Sequence, residues 1–94
     1  MGIYAKKVQR GTAVLDQTDQ KWFEKINLQT LVMVSQQKCI LGQLYGWYGT
    51  GLGRLNIVGR GVEYGFSSNN AFGLWRLERN WNKVIRSRRR SAAL

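Results

Sequence analysis

The chain has no histidine, no proline, a single cysteine and only five acidic residues among its 94. Without histidine, imidazole metal sites and serine or cysteine nucleophiles activated by an imidazole are excluded. One cysteine, Cys39, excludes an internal disulfide. Five carboxylates scattered along the whole length argue against a paired-carboxylate acid–base site. An enzyme is therefore the least favoured class, and neither cofactor nor metal is expected. With no proline, no ring forbids a long helix. No apolar run reaches the roughly 18 residues that a membrane span needs. Met1 to Lys7 lacks a signal-peptide core, and Lys6 stands where a myristoylation signal needs Ser or Thr. The expectation is a soluble cytoplasmic protein with no stable membrane insertion.

What is present is positive charge. Fifteen Lys and Arg against five acids leave a net charge of +10, a balance that suits a polyanionic partner. A hydrophobic content of 44% with eleven aromatics (four Trp, four Tyr, three Phe) is that of a folded chain. Ninety-four residues allow one domain with a modest core, spanning 1–94, with 91–94 as a frayed tail.

The charge concentrates at one place. Between Trp75 and Arg90 there are six Arg, one Lys and one acid, Glu78. At about 100° per residue, Asn70 to Arg90 reads as an amphipathic helix whose apolar stripe is Leu74, Leu77, Trp81, Val84 and Ile85. Arg76, Arg79, Lys83, Arg86 and Arg90 fall opposite it, with Trp75 beside them. Solvated faces usually mix signs, and this one does not. Arg88, Arg89 and Arg90 in succession repel unless a partner or salt screens them. The preference for Arg over Lys favours bidentate phosphate contact.

Upstream, Tyr4 to Leu15 suits a first helix with Tyr4, Val8, Thr12 and Leu15 on one side and Lys6, Lys7 and Arg10 on the other. Asp16 to Asp19 reads as a break capping a short helix through Ile26, with Trp22, Phe23 and Ile26 toward the core. Leu31 to Val34 is a short strand or an extended connector, and Val62 to Tyr64 is its candidate partner strand. Ser35 is expected to cap a helix from Gln36 to about Tyr48, with Ile40, Leu44 and Trp47 near one face. Gly42 and Gly46 are expected inside that helix as packing sites, and Gly49, Gly51 and Gly53 in its exit. Gly49 to Arg54 is not a nucleotide loop: the glycine spacing is wrong and no Lys-Ser/Thr follows. Ser67 to Asn70 is a polar cluster suited to capping the last helix. Cys39, beside the lone cation Lys38, reads as a small buried hydrophobe. Gln43 reads as a polar group held by backbone bonds. Tyr45, Trp47 and Tyr48 offer stacking surfaces, two of the three being expected in the core.

Cys39-Ile40-Leu41-Gly42-Gln43-Leu44-Tyr45-Gly46, followed by Tyr48, Gly51 and Tyr64-Gly65-Phe66, resembles a set of small uncharacterised proteins of actinobacteria and their bacteriophages. The likeness extends to Arg10-Gly11, Leu15-Asp16, Trp22, Ile26-Asn27-Leu28 and Trp81, and so covers most of the chain. It implies a phage or prophage origin and carries no assigned activity. The basic tail departs from the more acidic character expected of that set.

The expected architecture is mainly α: three or four helices in one compact domain, a long basic C-terminal helix and an optional two-stranded element. The expected function is non-enzymatic nucleic-acid binding, DNA before RNA, by a phage accessory protein in the host cytoplasm. Arg76, Arg79, Lys83, Arg86 and Arg90 are the phosphate contacts, joined by Arg88, Arg89 and Trp75, and by Lys6, Lys7 and Arg10 if the first helix packs alongside. The rival is an adaptor or inhibitor that binds a host protein, since aromatics and Arg are enriched at interfaces. An interfacial membrane helix is third, weakened because the apolar stripe is needed for the core.

Overall fold

The apolar spacing of the N-terminal segment is realised as helix α1, Ile3–Thr18, which buries Val8, Gly11, Thr12 and Leu15. The structure, a computed structural model, describes residues 2–93. After α1 come a 3-10 turn, Trp22–Glu24, then α2 (Ile40–Tyr45), α3 (Tyr48–Arg54) and α4 (Ala71–Ala93). Among the described residues there is no strand. The last element is the expected one: Asn70 Oδ1 accepts from Gly73 N at 2.7 Å and caps it, and Leu77, Trp81 and Ile85 are fully buried. Its helical geometry runs on through Ala93; Leu94 lies outside the described residues.

α1 and α4 are parallel neighbours. Tyr4 meets Phe72, Gly11 meets Trp81 and Asp16 meets Arg88, so the two chains advance together. Gly11 makes the approach possible, because a Cβ there would lie 2.3 Å from the Tyr64 carbonyl oxygen and 3.0 Å from the Trp81 ring. The core centres on Trp81, which stacks on Phe66 at 5.3 Å and meets Trp22 edge-on at 5.8 Å.

Several local expectations are corrected. α1 continues through the supposed break to Thr18, and a single 3-10 turn replaces the short helix, although Trp22, Phe23 and Ile26 are buried as expected. Residues 31–32 are irregular and 33–34 and 62–64 are turns, so there is no strand pair. Leu31 and Met33 still point inward, but Met33 N finds its acceptor in Glu78 Oε1 at 3.2 Å, a side chain of α4 rather than a neighbouring strand.

The helix expected over 36–48 is two helices. Ser35 Oγ caps only a turn, accepting from Gln37 N and Lys38 N at 3.3 and 3.0 Å. Cys39 is extended, and its Sγ accepts from Gly42 N at 3.3 Å, so the thiol is the true N-cap of α2. Gly46, at φ 89°, ends α2 in the left-handed region instead of packing inside it. Gly49, Gly51 and Gly53 lie within α3 rather than in an exit. Close packing explains this: a Cβ on Gly51 would stand 2.7 Å from Leu41 Cβ. Trp47, at the corner, is exposed. Gln43 is held as expected: its Nε2 donates to the Asn27 and Lys38 carbonyls, and its Oε1 accepts from Asn27 N at 2.6 Å.

Burial pushes the Cys39 thiol up and the residue is 1% exposed, so it is a poor nucleophile. Cys39→Ala is expected to lower stability by about 1–2 kcal/mol through the lost cap and packing. Maleimide labelling should proceed only under denaturing conditions. Rapid labelling of the native protein would contradict this placement.

Candidate nucleic-acid interface

α4 divides its seven cations between two settings. Arg76, Arg79, Lys83, Arg86 and Arg90 lie on the outward face and are exposed, as the helical periodicity requires. Among the described residues none of the five forms an ion pair. The helix's one acid, Glu78, accepts from Met33 N and pairs with none of the five, so one carboxylate stands against five cations on this face. An open trough of about 560 Å³ runs along this face, lined by Arg76, Arg79, Lys83 and Arg86 together with Glu78, Asn80 and Asn82. At about 1.5 Å per residue the row from Arg76 to Arg90 spans roughly 20 Å.

Arg88 and Arg89 are not part of it. Arg88 grips Asp16 of α1 in a bidentate pair, Nη1 to Oδ1 at 2.8 Å and Nη2 to Oδ2 at 2.7 Å. The Trp22 indole donates to the same carboxylate at 2.9 Å. Arg89 donates through Nε and Nη2 to the Phe23 carbonyl at 3.0 and 2.9 Å, and through Nη2 also to the Ile26 carbonyl. It thus caps acceptors left open where the 3-10 turn ends. Both guanidiniums fasten α4 to the N-terminal part of the chain, which sets them apart from the outward row in which the sequence placed them. Composition alone hid this, because Asp16 is 72 positions away from Arg88.

The Arg88 hydrogen bonds hold the Asp16 carboxyl below its usual 3.8; partial burial opposes them, and the Trp22 indole adds to them. A carboxylate depressed in the folded state stabilises the fold above its unfolded pKa, and that stability is lost as pH falls through the folded value. The melting temperature is therefore expected to drop on acidification below about pH 4. Asp16→Asn should lower it at neutral pH and flatten the acid limb. A residual slope should remain from Asp19 and Glu63, whose carboxyls Lys25 and Arg60 also hold low. An unchanged acid limb in Asp16→Asn would contradict the assignment.

α1 does pack alongside α4, yet its cations do not simply extend the row. Lys7 sits 6.0 Å from the centroid of the Tyr4 ring. Arg10 adds to the effect of Arg60 in holding the Glu63 carboxyl low, so an acid within the fold answers part of its charge. Lys6 is exposed on the outer side of α1.

Trp75 is half exposed, and Arg79 lies 5.1 Å over its ring. Beside it is a residue that the sequence reading missed. Phe72 is 61% exposed, 6.0 Å from Trp75 and 6.4 Å from Tyr4. Its signal was present: at 100° per residue position 72 shares the direction of Arg79 and Arg90, not of Leu77. The basic face thus begins in an aromatic patch and continues as a row of free cations. No helix is long and apolar enough to cross a membrane among the described residues. No family model, curated protein or solved structure matches this sequence.

Proposed function

We propose that the protein binds nucleic acid without catalysis, the outward face of α4 contacting phosphates through Arg76, Arg79, Lys83, Arg86 and Arg90. The observation that carries this is the unpaired row: five exposed cations along one helix, none in an ion pair among the described residues and only Glu78 beside them. Such a row attracts a linear polyanion and gains by releasing its counterions. On this reading the contacts are with the backbone, which positions a strand without reading its sequence. The resemblance of Cys39 to Gly46 supports a phage or prophage accessory role in a host cytoplasm, with DNA the first partner to test.

Anisotropy of a labelled duplex DNA at about 50 mM salt is the direct experiment, because non-specific binding is strong there. Micromolar or tighter binding is expected, and Arg54→Glu on α3 should leave it within about twofold. Absence of binding to DNA and RNA alike would overturn the proposal. A second reading, an adaptor or inhibitor of a host protein, would then replace it. It is favoured by one observation, an open groove of about 530 Å³ between α1 and α4, lined in part by Ala5, Val8, Ala13 and Val84.

A further inference from the structure

We infer that the aromatic start of the basic face is a base-stacking platform, so that the preferred partner is a single-stranded nucleic acid. This rests on the reading of α4 as a phosphate-binding face and names the form of polyanion it selects. Phe72 and Trp75 are 61% and 50% exposed and 6.0 Å apart, so together they form an aromatic surface patch beside the cation row. Tyr4 meets Phe72 edge-on, with the rings 72° apart, and backs it from α1. The Arg79 guanidinium lies over one face of the Trp75 ring at 5.1 Å, which leaves the other face for a base and sets a cation beside it.

A base inside a duplex has its faces covered by its neighbours, so side-by-side exposed rings gain contact only with unstacked bases. The cation row then tracks the backbone leading away from those bases. Its length of roughly 20 Å suits a strand of a few nucleotides, within the range of about 4–16 that such sites cover. Charge distribution favours this occupant over a lipid surface. From Arg79 to Arg90 the exposed positions are Arg79, Lys83, Arg86, Ser87 and Arg90, with no apolar side chain to enter a bilayer.

The test compares an oligothymidylate of roughly 12 nucleotides with a hairpin duplex of equal phosphate count at one salt concentration. The single strand should bind more tightly. Trp75→Ala should weaken single-strand binding by roughly tenfold and Phe72→Ala by a smaller factor, both leaving duplex binding and its salt slope unchanged. Trp75→Phe should restore most of the loss. In a Trp47→Phe background the oligomer should quench fluorescence, because Trp22 and Trp81 are wholly buried and Trp75 alone remains exposed. Equal single-strand affinity in wild type, Trp75→Ala and Phe72→Ala, with duplex binding intact, would overturn the platform and spare the phosphate face. Loss of binding to both nucleic acids in the wild type would remove the underlying reading. Binding to phosphatidylserine vesicles that requires Trp75, without a single-strand preference, would assign the patch to a membrane and overturn the inference.

Discussion

Trp81→Ala is expected to destabilise the domain by about 3–5 kcal/mol, a large part of the stability of a protein of this size. The side chain is fully buried, stacks on Phe66, meets Trp22 edge-on and donates from Nε1 to the Gly65 carbonyl at 2.7 Å. Truncation therefore leaves a cavity where α1, α4 and the 65–66 turn converge, and strands a buried carbonyl acceptor. Gly11 cannot close the gap, since it was the small partner that let the indole in. Lys83→Ala, two positions along but on the outward face, should change stability by less than about 0.5 kcal/mol. Thermal melts separate the two. Similar melting temperatures would mean that the buried and exposed faces of α4 are exchanged.

The largest effect on binding is expected from Arg79→Glu combined with Arg86→Glu. Each substitution removes a charge-assisted contact worth about 1.5–3 kcal/mol and puts a repelling carboxylate in its place. Together they should weaken nucleic-acid binding by at least about 100-fold, broadly across sequences. Neither residue contributes an ion pair to the fold among the described residues, so the circular-dichroism spectrum should stay native. A native double variant that binds as well as the wild type would move the interface away from α4.

How much of this was legible in the sequence depends on the range of each interaction. The faces of α4 followed from periodicity, because Leu77, Trp81 and Ile85 recur at helical spacing and Arg79, Lys83 and Arg86 fall between them. The Asn70 cap and the Gln43 bonds rested on local chemistry and were equally readable. Three features were decided by distant partners. Arg88 and Arg89 looked like part of the basic cluster until Asp16 and the Phe23 carbonyl, far away in the chain, claimed them. Glycines that propensity places in a turn form α3, because α3 packs closely on α2 and Gly51 admits Leu41. The strand pair does not form, and the backbone of 32–35 bonds instead to the Lys38 carbonyl, to Glu78 of α4 and within its own turn. Phe72 was legible from periodicity alone, since it lies on the same side of α4 as Arg79 and Arg90.

The measurement that tests the central claim most directly is the salt dependence of duplex binding. Five free cations on α4, each displacing a counterion, predict a slope of log K against log salt between about −4 and −5. Replacing one of them, Lys83→Gln, should make it shallower by about one. Arg88 and Arg89 are engaged by Asp16 and by backbone carbonyls, so a slope beyond about −6 is not expected. A slope near zero, or one that Lys83→Gln leaves unchanged, would contradict phosphate binding by this face.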